Sequence, residues 1–499
     1  MHTAIRASER PFLQAVAALA YANPFSPERE EMERRALGRE FVAGDPIWSV
    51  SVADPERARP NIWRIQEKLE PVLEAVRERL LVEDGGDFAL YEECVHSLLY
   101  QRYYESFVGA NGHFGFYRKF AADWSYFFEL PGKRYETALS VEHFFACCWQ
   151  LWRAFHRIFD HIIGSSMPAA RLRGSIWESI FTCDLRRYRR VLWQKMGDFP
   201  TLITGPSGTG KELVARAIAG ARYLPFSGAR MAFAQPKGES FFAVNLAALS
   251  PSLIESELFG HKRGAFTGAI ADRVGWLEAC PAQGAVFLDE LGEMEMPIQV
   301  KLLRVMETRE YAAVGDTGLK RFAGKLIAAT NRDLAKEIGA GRFREDLYYR
   351  LCADLIATPS LAEQVADAPG ALDELVLYMT RRAVGAEAES VYPVVREWIG
   401  SNLPRGYAWP GNYRELEQCV RNVLIRQTYR PLSAAGGDTF FDRFGRGELT
   451  ADEVLNHYAS LVYRQCGSYV ETAKRLGLDR RTVKARLDSA LVLGRTNPG

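Results

Sequence analysis

At 499 residues the chain is about three times the length of an ordinary domain of roughly 150, so a single compact fold is excluded. Hydrophobic residues make up 47% and charged residues 25%, and 63 basic side chains nearly cancel 62 acidic ones, which excludes wholesale disorder and a surface that coats nucleic acid uniformly. No apolar run approaches the roughly 18 residues that span a bilayer, and eight cysteines without regular spacing do not make a disulfide framework, so a soluble protein of the reducing cytoplasm with no membrane partner is expected.

In chain order, residues 12–22 are apolar, follow Arg6 and Arg10 and end in Ala20-Tyr21-Ala22, the outline of a secretion signal. Glu9, Pro11 and Gln14 interrupt it, and the nucleotide motifs further on need a cytoplasmic setting. Residues 1–170 are aromatic-rich, helically patterned and hold six of the eight histidines, so they read as a mostly helical unit with its own core. Within it Cys94, His96, His143, Cys147, Cys148, His156 and His161 stand out, and His143 and Cys147 share a helix face, as a metal or redox sensor would require. Phe144, Phe145, Trp149 and Phe155 surround them, which favours core packing. Between 171 and 199, Arg186, Arg187, Arg189 and Arg190 recur on a helical period beside the stripe Ile176, Ile180 and Leu185, predicting a connecting basic helix.

From Pro200 short apolar runs alternate with longer helical stretches. Strands are expected at 201–204, 241–245, 285–288 and 325–329, and their alternation with helices predicts a parallel sheet covered on both faces. Gly205-Pro206-Ser207-Gly208-Thr209-Gly210-Lys211 follows the first strand and precedes a helix, the context in which backbone N–H groups and a helix N-terminus surround phosphate oxygens. Lys211 would reach the β- and γ-phosphates; the residue after it, commonly a magnesium-binding Ser or Thr, is Glu212. The strand 285–288 ends in Asp289 and Glu290, one carboxylate to hold Mg2+ and one to polarise the attacking water, so an ATPase is expected. Residues 264–269 set Phe266 and Thr267 between flexible glycines; composition alone would tuck the Phe inward. Residues 373–426 read as a helical subdomain and 433–447 as a linker.

Thr450 and Glu453 form a capping-box pattern that opens the last unit. There Leu476, the turn residue Gly477, the N-cap Asp479, and Val483 and Leu487 on one face make two short helices with a tight turn. Arg480, Arg481, Lys484 and Arg486 remain for the other faces; the pattern resembles a Fis-type helix-turn-helix, which implies DNA contacts at these residues and Thr482, the recognition helix in the major groove, and dimer contacts from the helix over 454–462.

The segments GPSGTGKE, LIESELFGHKRGAFTGA, VFLDELGEM, LIAATNRDL, FREDLYYRL and YAWPGNYREL occur in this order between Pro200 and Arg426. Together they resemble the central AAA+ domain of sigma-54-dependent transcription activators, the NtrC-type bacterial enhancer-binding proteins, and the last unit resembles the Fis-type helix-turn-helix that ends most of them. The resemblance implies a multidomain protein. Its parts are a mostly α N-terminal regulatory domain (1–170), a connecting helix (171–199), an α/β P-loop ATPase subdomain (200–360), a helical lid (361–430), a linker (431–449) and an all-α DNA-binding domain (450–499). It implies ATP and Mg2+ as cofactors, a homo-oligomer from dimer to hexameric ring, upstream double-stranded DNA, and sigma-54 RNA polymerase as the complex remodelled from closed to open. Glu after the phosphate-loop Lys is usual in this family, so Glu212 fits. By motif, Asn245 would hold Glu290 away from water, Thr330 and Asn331 would sense the γ-phosphate, and Arg344 and Arg350 would be fingers reaching a neighbour's ATP. Arg414 would contact nucleotide in its own subunit. Gly264, Ala265, Phe266, Thr267, Gly268 and Ala269 would form the loop that contacts sigma-54. One departure is Pro359-Ser360-Leu361-Ala362-Glu363-Gln364, where the family usually carries an arginine that couples the lid. The rivals to this reading are a DNA-binding regulator whose ATPase serves only assembly and a ring chaperone without promoter function. The signal received by the N-terminal domain is left open.

Overall fold

The computed structural model describes residues 4–44, 60–80, 87–130, 133–134, 137, 139–234, 240–404, 406–431, 444 and 447–493. The chain forms two units, residues 1–427 and 428–499. The first opens with helices α1 (Arg10–Tyr21), α2 (Glu28–Leu37), α3 (Pro60–Leu80), α4 (Phe88–Arg102), α5 (Tyr104–Val108) and α6 (Tyr117–Phe128), and the short antiparallel pair β1 (Glu129–Leu130) and β2 (Lys133–Arg134). Then come α7 (Val141–His161), α8 (Met167–Phe181) and α9 (Leu185–Arg190). Residues 12–21 thus lie in α1, whose Leu13, Val16, Ala17 and Leu19 are buried, and Ala22 is the extended residue that ends it.

The expected connecting helix over 171–199 is instead broken. Thr182, a β-branched residue at φ 64, ends α8, and Asp184 starts α9 by accepting from the backbone N–H groups of Arg186 and Arg187 at 3.0 and 3.1 Å. Nor is α8 a tether. Ser179 and Thr201 hydroxyls both donate to the Asp354 carboxylate, fastening α8 to the sheet.

Strand β3 (Thr201–Thr204) begins the α/β part, followed by α10 (Lys211–Gly220), the antiparallel pair β4 (Phe226–Ser227) and β5 (Ala232–Phe233), and β6 (Phe241–Asn245). Next are α11 (Pro251–Phe259), α12 (Trp276–Ala279), β7 (Ala285–Asp289), α13 (Met296–Thr308), the hairpin β8 (Glu310–Ala312) and β9 (Leu319–Arg321), and β10 (Lys325–Thr330). Helices α14 (Leu334–Gly339) and α15 (Glu345–Leu351) lead to β11 (Leu355–Ala357). The lid is α16 (Leu361–Asp367), α17 (Ala371–Val384), α18 (Ala388–Asn402) and α19 (Asn412–Arg426). Five strands form one parallel sheet in the order β11-β3-β10-β7-β6. Every residue of β10 is buried, as helices on both faces demand. The four strands expected from the sequence are all present, and the multidomain α, α/β and α layout holds.

Sequence reasoning expected a separate core for residues 1–170; the core instead runs past that boundary. Phe226 and Phe233 of the β4–β5 hairpin lie among Phe114, Tyr117 and Phe145 of the N-terminal helices. Leu151, Phe155 and Ile158 of α7 and Ile176 and Trp177 of α8 share a second cluster with Ile203 of β3 and Val214 and Ile218 of α10. Phe145 is fully buried and touches rings from both sides of the boundary. Phe145→Ala is expected to cost about 3–5 kcal/mol, and to lower the melting of the N-terminal helices and the nucleotide-binding part together. Scanning calorimetry with and without ATP checks this; two independent transitions, only one of them shifted, would contradict a shared core.

Among the described residues the second unit has three helices, Ala451–Cys466, Tyr469–Leu476 and Arg480–Leu493. The expected linker over 433–447 lies almost wholly outside the described residues. Thr450 and Glu453 form the expected capping box, and the Asp479 carboxylate accepts from the Thr482 hydroxyl at 2.6 Å and from the backbone N–H groups of Arg481 and Thr482. Those bonds hold its carboxyl below the usual aspartate range. Gly477 supplies the left-handed turn, and Val483 and Leu487 are buried against Ala473.

Candidate functional site

Parallel pairing aligns the strand ends, so residues far apart in sequence meet at one edge of the sheet. Thr330 pairs with Thr204, Ala357 with Thr204, and Asn245 with Asp289. The phosphate-loop glycines Gly205, Gly208 and Gly210 take φ values of 141, 78 and 85°, a backbone that other residues resist. At Gly205 an added Cβ would run into Thr358, and at Gly208 into the Gly411 carbonyl at 2.3 Å. The loop is therefore clasped between the end of β11 and the start of α19.

Lys211 opens α10 and its Nζ donates to the carbonyls of Gly205 and Pro206, each at 3.0 Å. Burial holds this ammonium below the ordinary lysine range, while Glu290 and Asp289 pull the other way. Thr209 Oγ1 donates to the Pro206 carbonyl and meets Thr358 Oγ1 at 2.7 Å. Glu212 turns aside to pair with Arg216, four residues on. Asp289 accepts the backbone N–H of Glu290 at 3.0 Å. Glu290 itself is left-handed at φ 55, ψ 47, a strained backbone of the kind that gathers at functional sites. Across the pairing, the Asn245 carboxamide oxygen accepts from Ala247 N–H at 2.9 Å. Thr330 is fully buried, its hydroxyl accepting from Arg332 N–H, while Asn331 is exposed.

The lid reaches the loop through residues the sequence reading did not weigh. Asn412 Nδ2 donates to the Ser207 carbonyl at 2.9 Å, its Oδ1 accepts from Leu361 N–H, and Tyr413 N–H donates to the Gly208 carbonyl at 3.0 Å. Arg414 Nη1 lies 3.4 Å from Ser207 Oγ. Where the family's arginine is missing, Ser360 and Glu363 form a capping box and Gln364 Nε2 donates to Tyr413 Oη at 2.5 Å. The Ser-x-x-Glu spacing was readable in the sequence; the Gln364–Tyr413 bond spans 49 positions and was not.

Arg344 and Arg350 do not join this cluster. Arg344 caps α15 and grips Asp346 with two bonds of 2.9 and 2.6 Å. Arg350 is 58% exposed, 3.6 Å from Glu307. Among the described residues neither bonds the phosphate loop, Asp289 or Glu290.

The 264–269 loop forms a closed tip. Gly264 N–H donates to the Ala269 carbonyl at 2.9 Å, and Gly264 and Gly268 sit at φ 83 and 101. Phe266 is not tucked inward as composition suggests: it is 37% exposed with one edge against the His261 ring, and Ile270 beside it is 86% exposed. The base of the loop is bonded to the β8–β9 hairpin, Lys262 N–H donating to the Val314 carbonyl and Val314 N–H to that of Gly260.

In the last unit Arg480, Arg481 and Lys484 are exposed, Thr482 bonds Asp479, and Arg486 donates to Asp452 and Asn456 at 3.1 Å, so its charge serves the contact with the first helix. In the N-terminal part Cys147 and Cys148 are buried, and burial pushes the Cys147 thiol up to about 12. His143 bonds Tyr223 Oη at 2.7 Å and the Arg189 carbonyl at 2.8 Å. Among the described residues no group of three or more His, Cys, Asp or Glu could hold a metal, and the geometry supports core packing for the cysteines. No local signal marks His143 as the residue that joins α7 to α9 and to the segment after α10.

Residues 185–356 match the model of the sigma-54 interaction domain. The chain is 39% identical over 340 residues to the transcriptional regulatory protein GlrR of Escherichia coli strain K12, covering 66% of this chain and 71% of that protein. It is 42% identical over 316 residues to the sigma54-dependent transcriptional regulator SfnR of Pseudomonas fluorescens, covering 57% of this chain and 80% of that one. It is 39% identical over 300 residues to the transcriptional regulatory protein ZraR of Klebsiella oxytoca, covering 58% of this chain but only 63% of ZraR. No described helix is long and apolar enough to cross a membrane.

Proposed function

The chain belongs to the family of sigma-54-dependent transcriptional regulators, and we propose that it works as an activator of that kind: an oligomeric ATPase that binds upstream DNA and spends ATP hydrolysis on opening the sigma-54 polymerase complex. ATP with Mg2+ lies at the C-terminal edge of the sheet. Backbone N–H groups of 205–210 and Lys211 hold the phosphates, Asp289 holds the metal ion, Glu290 activates water, and Thr330 and Asn331 report the γ-phosphate. Asn245, the register partner of Asp289, leaves its bond to Ala247 to hold Glu290 away from water until the partner is engaged. Arg414 reads the nucleotide from the lid, and Arg344 and Arg350 reach a neighbour's site. The N-terminal helices set the sign and strength of the response, because α7 grips the far end of α10 through Gln150 to the Ala221 carbonyl at 2.9 Å and Arg153 to that of Arg222 at 2.6 Å. The three-helix unit binds a palindromic site as a dimer, with Arg480, Arg481 and Lys484 toward the groove.

The observation that carries this reading is the exposed tip at Phe266, on a loop bonded to the hairpin that leads directly into β10 and the Thr330 end of the nucleotide edge. A shift at the γ-phosphate has a short covalent and hydrogen-bonded route to the tip. Thr267→Ala is expected to keep ATP turnover near the parent level and to lose roughly tenfold or more in open-complex formation, since its hydroxyl faces the partner and not phosphate. Parallel assays of phosphate release and of promoter opening with sigma-54 polymerase decide it, and unchanged opening would remove the loop as the working surface.

A further inference from the structure

Helices α1, α2, α3, α4, α7, α8 and α9 line a cavity of about 90 Å3, well above the volume of one water. Most of its wall is apolar, including Leu19, Ile65, Phe144, Leu151 and Trp177. Of the polar side chains on that wall, three present buried atoms without a hydrogen-bond partner, Gln66 Oε1, His96 Nε2 and Arg189 Nε. Each such atom costs about 1–3 kcal/mol, and of the nine among the described residues three gather around this one cavity, which calls for an occupant that satisfies them.

Arg189 decides the chemistry of that occupant. It is 5% exposed, and among the described residues it forms no ion pair: Glu93 is taken by Arg186 and Glu92 by Arg190. Its guanidinium is held over the rings of Tyr21 and Phe144, at 4.8 and 5.6 Å, which positions it without satisfying its N–H groups. His96, also 5% exposed, is stacked between Phe144 at 4.3 Å and Trp124 at 5.4 Å. A buried, unpaired cation beside a neutral donor or acceptor, within apolar walls, suits one anionic group on an otherwise apolar body.

We propose that this cavity is the binding site for a small organic carboxylate, its anion taken by Arg189 with His96 and its apolar body by the aromatic and aliphatic wall. The proposal does not depend on the sigma-54 reading. The same site has a route to the nucleotide edge, because Phe155 and Trp177 line it and also share a core with Ile203 and Val214 beside the phosphate loop.

Titration calorimetry on the full chain tests this with benzoate as a flat probe, hexanoate as a flexible one and benzyl alcohol as a neutral control. One or both acids are expected to bind saturably near one per chain. Arg189→Met is expected to weaken that binding roughly tenfold or more, the scale of a lost charged hydrogen bond, and Ser97→Leu, which fills the cavity from α4, to abolish it. Ser97→Leu leaves the buried arginine in place, so it serves even if Arg189→Met does not fold. No saturable binding of either acid, binding of benzyl alcohol as tight as that of the acids, or parent affinity in folded Ser97→Leu would each overturn the proposal. None of these readouts uses ATP, DNA or polymerase, so they stand apart from a failure of the activator reading.

Discussion

Lys211→Ala is expected to abolish nucleotide binding, whereas Glu290→Gln should bind ATP as the parent does and turn it over roughly 10²- to 10³-fold more slowly. The lysine ammonium stands at the mouth of the phosphate loop, 3.0 Å from two loop carbonyls, and is partly desolvated with its pKa held down. Phosphate oxygens are better partners for it than neutral carbonyls, so removing it takes away attraction in the ground state. Glu290 differs in kind. Its left-handed backbone turns it past Asp289 at the strand end, and glutamine keeps shape and hydrogen bonding while removing the base. Binding of a fluorescent ATP analogue and steady-state phosphate release separate the two effects. A Glu290→Gln chain that hydrolyses at the parent rate would end the assignment of the base.

Arg350→Ala is expected to lower turnover by roughly 10³-fold with ATP affinity retained, and mixing it with Lys211→Ala should restore part of the activity. Among the described residues Arg350 has little to do: it is largely exposed, and its ion pair there, to Glu307 at 3.6 Å, is of the weak surface type. A cation across a subunit boundary stabilises the charge that spreads over a transferring phosphoryl group, which makes hydrolysis depend on assembly. Arg344 is expected to show the smaller loss, because its guanidinium is already engaged twice by Asp346 and has to leave that partner first. Mixed oligomers assayed across a range of ratios test the arrangement, and absence of rescue at every ratio would exclude a finger shared between subunits.

Much of the nucleotide edge was legible because its determinants are local. The apolar β-forming run 285–288 declares a strand wherever it lies, a glycine at Gly208 or Gly210 declares a positive φ, and Thr450–Glu453 and Asp479 declare helix starts, since each capping bond closes within three residues. The motif order carried the family. Composition misplaced Phe266 because burial depends on what packs over a residue, and the bonded turn at Gly264 and Ala269 holds that ring 37% exposed, edge-on to His261.

By itself, then, the sequence determined the strands that begin at Thr201, Phe241, Ala285 and Lys325, the left-handed glycines Gly208 and Gly210, and the helix starts at Thr450 and Asp479, all properties of contacts a few positions apart. Only the tertiary structure decided the strand order β11-β3-β10-β7-β6, which brings Thr358 against Gly205 and Asn245 beside Asp289. It also decided that the N-terminal helices and the α/β part share cores through Phe226, Phe233 and Trp177, that His143 would meet Tyr223 eighty positions away, and that Arg189 would end unpaired beside a cavity. The reason is physical. An apolar or basic residue carries in its sequence neighbourhood the tendency to be buried or exposed on its own helix, but its partner is fixed by which distant faces exclude water together, and that is settled when the whole chain packs.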